Sequence, residues 1–134
     1  MRIVHGPVDQ TIDPTWWAEA GMSGFEPTGA SYEAAAATRP VQLVAVGEVL
    51  PLIRNLSHGV FNDSHDSGTA KQRVVRLLRG FREGALIPPV ELDRVGSNSF
   101  RLFHGAHRFY CSLVVGFTHV PAVVYDEEEW RRSR

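Results

Sequence analysis

The chain has 134 residues, enough for one domain with a modest core. Its 43% hydrophobic and 22% charged content is ordinary for a globular protein, and a formal charge of -1 argues against a polybasic nucleic-acid coat or a long acidic tail. A single cysteine, Cys111, permits no internal disulfide, no apolar run reaches the ~18 residues of a membrane span, and the N-terminus lacks a secretory signal, so a cytoplasmic location is expected.

Residues 1–40 mix Gly, Pro, Thr and Ala with Trp16, Trp17, Phe25 and Tyr32. That aromatic content argues against disorder. Asp13-Pro14 caps a short helix through Trp17, with proline in its first turn. Ser31 followed by "YEAAAATR" reads as a second helix that ends before Pro40. This N-terminal extension is expected to pack on the core or to contact a protein partner, with the main domain over residues 41–134.

"VQLVAV" (41–46) is a β-branched apolar run and reads as a strand. "GEVLPLIRNL" follows as a turn and short helix. "SHGVFNDSHDSG" (57–68) is a polar, turn-rich loop. "TAKQRVVRLLRGFREG" is the clearest helix. Thr69 is its candidate N-cap, Val74, Val75, Leu77, Leu78 and Phe81 form its apolar face, and Gly84 stops it. "IPPVELDRV" becomes a strand, "GSNS" a turn and "FRLF" the returning strand of a hairpin, broken at His104-Gly105. "AHRFYCSLVVGF" is a helix, "THVPAVVYD" a last strand with His119 as a turn residue before it, and "EEEWRRSR" a charged tail. This order defines a small mixed α/β or α+β domain.

The chemistry concentrates at "HGAHR". Glycine before a helix lets the backbone approach a ligand closely. The amides of the first helical turn carry partial positive charge and favour an anion. Arg108 adds a bidentate donor and His107 a donor near neutral pH. Gly105, Ala106, His107 and Arg108 therefore make a candidate phosphate cradle. The competing reading has His107 capping a turn and Arg108 in a surface ion pair.

The surrounding pattern comprises Gly84, Ile87 to Val90, Phe100 to Arg108, Gly116 and Val120 to Val124. It resembles the ParB/sulfiredoxin-like family over about residues 41–126, most specifically over 84–124. The resemblance implies that fold and a bound nucleoside triphosphate, ATP or CTP, accompanied by Mg²⁺. Its phosphates would rest on the Gly-x-His-Arg loop, at Gly105, His107 and Arg108. In sulfiredoxin this loop carries a cysteine nucleophile; here the matching residue is Ala106, so that reaction is not expected. ParB-type partition proteins continue into a helix-turn-helix DNA reader, whereas only a short tail follows Asp126. The family's free-serine kinases open the loop with Asp and use an upstream catalytic Glu. Here the loop opens with His104, and Glu48 is the matching upstream acid, with a carboxylate at a helix N-terminus as its plainer reading.

Other candidates carry weaker signals. His58, Asp63, His65 and Asp66 offer metal-type ligands without a closed spacing. The plain reading of their loop is a polar surface, and another is a lid over a bound nucleotide. Thirteen of the fourteen Lys and Arg residues are Arg, a bias that GC-rich codon usage explains most simply. Arg73, Arg76, Arg79 and Arg82 recur every third residue and drift around their helix. They read as a solvated face, with Arg73 or Arg76 placed to reach a phosphate. Trp16 and Trp17 either fasten the N-terminal segment to the core or stack a base or partner. Of Phe109 and Tyr110, one is expected inside and the other along the pocket. The leading expectation is a nucleotide-phosphate-binding protein; were it to hydrolyse or transfer a phosphate, Glu48 would be the acid. The alternatives are a non-catalytic interaction module and a ParB-like DNA-processing nuclease.

Overall fold

The structure, a computed structural model, describes residues 2–5, 8–50 and 69–126, with side chains from 12–50 and 71–126. A two-stranded antiparallel hairpin of β1 (Arg2–His5) and β2 (Val8–Thr11) leads into helix α1 (Pro14–Glu19). Five further strands form one mixed sheet: β3 (Gln42–Ala45), β4 (Val49–Leu50), β5 (Val90–Gly96), β6 (Ser99–His104) and β7 (His119–Tyr125). Their order is β3-β7-β5-β6-β4. β3 runs antiparallel to β7 and β5 antiparallel to β6, while β7 is parallel to β5 and β4 is parallel to β6. Helices α2 (Thr69–Glu83) and α3 (Ala106–Val115) pack on each other, and α3 also packs on β5 and β7. This is an α+β domain.

The core follows the sequence periodicities. α2 buries Val74, Val75, Leu78 and Phe81, the i, i+1, i+4, i+7 face of an amphipathic helix. α3 buries Phe109, Tyr110, Cys111 and Val115. β5 and β6 turn Val90, Leu92, Phe100 and Leu102 inward. Ile12, Ala20, Met22 and Tyr32 join this same cluster, and Trp16 and Trp17 pack against it half-buried. Asp13 caps α1, accepting from both the amide (2.9 Å) and hydroxyl (2.8 Å) of Thr15. These bonds hold the Asp13 carboxyl below its ordinary pKa. Glu19 ties α1 to α2, pairing with Lys71 at 3.0 Å and offering its carbonyl to Arg79 at 3.1 Å.

Four expectations are corrected. Residues following Ser31 form no helix. Ala34 instead bridges Ile87, with the Ala35 amide donating to Ile87 O (2.9 Å) and the Ile87 amide to Glu33 O (3.0 Å). The alanine run has high helix propensity, yet Tyr32 must be extended to reach the core, and packing overrides a weak local preference. Over 47–50 the expected turn and helix is a single 3₁₀ turn, Val46–Glu48, followed by strand β4; Val49 is buried there beside Phe100. His119 opens β7 rather than sitting in a turn, and its amide donates to Ala30 O at 3.0 Å. Phe109 and Tyr110 are both fully buried, in edge-to-face contact at 5.1 Å, so neither walls a pocket. The remainder of 47–56, the polar loop at 57–68 and the tail beyond Asp126 lie outside the described residues. Among the described residues no helix is long and apolar enough to cross a membrane.

Candidate phosphate-binding cleft

β6 ends at His104, and Gly105 turns the chain into α3. Gly105 adopts φ 100° and ψ 35°, a left-handed conformation that L side chains rarely take. A Cβ placed there would lie 2.9 Å from Val90 Cγ1 and 3.2 Å from Arg108 Nη2. Glycine is therefore required twice, by dihedral and by space. The first intrahelical bond of α3 runs from the Phe109 amide to Gly105 O (2.9 Å), so the amides before it lie outside the helical ladder. They face the positive end of the helix dipole.

Arg108 is held from behind. Its Nη1 donates to Pro88 O (3.2 Å) and Pro89 O (2.8 Å), and its Nη2 lies 3.4 Å from His104 Nδ1. The hydroxyl of Tyr32 donates to the same Pro88 carbonyl at 2.7 Å, and its ring stacks on Phe81 at 5.1 Å. Burial pushes the Tyr32 hydroxyl well above its ordinary pKa, opposed in part by the Arg108 charge. The guanidinium is thus a brace between α3 and the Pro88–Pro89 turn as well as a charge at the helix N-terminus.

Beside this loop lies an open cleft of about 440 Å³, lined by Arg73, Arg76 and Leu77 of α2, Ile87 and Pro88, and the loop from His104 to Arg108. Two arginines from one helix face the N-terminus of another across it. A phosphate-sized anion there would meet guanidinium groups from α2 and the amide dipoles of α3. Among the described residues the cleft is lined by no carboxylate.

The fold brings Arg73, Gly105, Ala106, His107 and Arg108 to one site. It does not bring Glu48. That residue precedes Val49, whose β6 partner is Phe100, four positions before His104; at ~3.3 Å per residue this is about 13 Å of strand away. His107 lines the cleft with its Nε2 buried. Cys111 is fully buried on α3, and burial pushes its thiol pKa well up, so it offers no nucleophile to the cleft. Ala106, at the loop position itself, has none. Among the described residues no group of three or more His, Cys, Asp or Glu side chains is placed to hold a metal ion. Sequence reasoning named Arg73 and Arg76 together but missed the Pro88–Pro89 carbonyls and the Tyr32 contact. It also missed Glu91, whose Oε2 lies 3.3 Å from His104 Nδ1.

Among solved structures, the chain is similar to sulfiredoxin from Arabidopsis thaliana, with a TM-score of 0.50 at 20% identity, covering 69% of this chain and 94% of that one. The domain has the ParB/sulfiredoxin-like fold. No family model matches the sequence, and no curated protein matches it. At this identity the likeness establishes the architecture and leaves the activity to be argued from the site.

Proposed function

We propose that the chain binds a nucleoside triphosphate, ATP or CTP, with its phosphates in the cleft between α2 and the Gly105–Arg108 loop. The observation that carries this reading is the convergence of Arg73 and Arg76 on the N-terminus of α3. Two exposed guanidinium groups on one helix repel each other; opposite a helix N-terminus they match a polyanion. Gly105 permits close approach of the ligand, and Arg108, already braced, loses little freedom on meeting a phosphate.

The test is a titration of the purified protein with ATP, CTP, GTP and ADP, with and without Mg²⁺, followed by thermal stability. A bound nucleotide at a hundred times its dissociation constant adds about 2.7 kcal/mol. Arg73→Ala combined with Arg76→Ala should keep the parent melting temperature and lose the nucleotide response, because both side chains are exposed. An undiminished response in that variant sinks the reading.

A further inference from the structure

His104 is the residue the phosphate-binding reading leaves unused. It lines the cleft, and its side chain is 66% exposed. Its Nδ1 lies 3.3 Å from Glu91 Oε2. The other oxygen of that carboxylate, Oε1, accepts from the Tyr125 hydroxyl at 3.4 Å. The arrangement depends on an irregularity in the β5–β6 pairing between Glu91 and Leu92, which sets Glu91 opposite His104. The register shift adds one residue to β6 and re-aims a side chain at the strand end. The Nε2 of His104 has no protein partner among the described residues. An exposed imidazole oriented through one nitrogen by a carboxylate, itself held by a third group, is the layout of a general base.

We propose that His104 is the proton acceptor for hydrolysis of a nucleoside triphosphate in this cleft, with Glu91 as its positioning residue; this rests on the phosphate-binding reading above. With Nδ1–H donating to Glu91, Nε2 of this cleft-lining residue holds the lone pair. Water attacks the terminal phosphorus: its oxygen forms the new O–P bond, its proton passes to Nε2, and the bond to the bridging oxygen breaks with the electron pair leaving on the nucleoside diphosphate. His104 then returns the proton to solvent. Arg108 competes for Nδ1, since its Nη2 stands 3.4 Å from the same nitrogen. A phosphate that draws Nη2 into the cleft releases Nδ1 to Glu91, so ligand binding itself selects the basic tautomer. The charged groups facing His104 are Glu91 from β5, Arg108 from α3, and Arg73 and Arg76 across the cleft from α2.

The experiment measures ATP and CTP binding by thermal shift, and phosphate release from the same nucleotides with Mg²⁺ between pH 5 and 9. It uses the full chain and the His104→Gln and Glu91→Gln variants. Expected are equal binding in all three proteins, phosphate release reduced by about 10²-fold or more in His104→Gln, and loss of the acidic limb of the pH profile in that variant. In Glu91→Gln phosphate release should also fall, through kcat at unchanged nucleotide binding, because the imidazole loses the carboxylate that orients it. Nucleotide bound with no phosphate release, or with release in His104→Gln within threefold of the parent, overturns the role of His104 while leaving the binding site intact. No nucleotide bound by any of the three overturns the binding reading and this proposal with it.

Discussion

Two residues, Gly105 and Tyr32, show how local constraint shapes the cleft. Gly105→Ala forces a β-carbon into a left-handed residue and against Val90, and should cost about 1–3 kcal/mol in thermal or denaturant unfolding. It should also weaken the nucleotide response, since the added methyl displaces Arg108. Tyr32→Phe removes the hydroxyl that bonds Pro88 O and should cost about 1 kcal/mol at neutral pH. Its pH dependence has a defined sign. Burial raises the Tyr32 pKa above the ordinary 10.0 and the Cys111 pKa above the ordinary 9.0. The folded state therefore retains protons that the unfolded state gives up. The stability from these groups is complete below pH 9 and declines as pH rises beyond it. A melting temperature that falls above pH 9, and falls less steeply in Tyr32→Phe, is the expected result. Gly105 and Arg108 were legible in the sequence because a loop fingerprint depends on side-chain identity. The partners of Arg108 were not, because two of them are main-chain carbonyls that any residue supplies. The Glu91–His104 pair was hidden because a one-residue register shift decides it.

At the level of elements, legibility followed the strength of the periodic signal. α2 and α3 were readable because each combines a helical apolar face with a glycine at its end. β5, β6 and β7 were readable because turn residues punctuate β-branched runs. Residues 31–39 were misread because four alanines favour a helix in isolation, while the bond from Ala35 to Ile87 exists only in the assembled fold. β4 is two residues long, too short for any pattern to declare itself, and β1–β2 was not foreseen. The extended segment is the element most open to test. Ala35→Pro removes the amide that donates to Ile87 O and should cost about 1–3 kcal/mol, read from the denaturant midpoint. By loosening Ile87–Pro89 it should also reduce nucleotide binding, although residue 35 does not line the cleft.

For the whole molecule, the described segment from Ile12 to Tyr32 is continuous with the core. Ile12, Met22 and Tyr32 are buried alongside Leu78, Phe81 and Phe109. Burying each such side chain contributes about 1.5–3 kcal/mol, against a total stability for a small domain of about 5–15 kcal/mol. A chain beginning at Val41 should therefore lose its cooperative thermal transition and bind a hydrophobic dye, as seen by calorimetry and fluorescence; a sharp unfolding transition in that fragment would overturn this account of the core. The sequence pattern located the sheet and its two main helices, and composition set the early residues apart. Their shared interior was not visible, because burial of a Tyr or Met at one end of the chain depends on contacts made far along it.

The oxygen that receives both Tyr32 and Arg108 belongs to the peptide unit at position 88. Point replacement there cannot delete it; only adding or removing a residue between Ile87 and Val90 can. Drift in side-chain identity is thus tolerated at the joint that seats the guanidinium, whereas a single-codon insertion or deletion would unhook the leading segment and the ligand loop together.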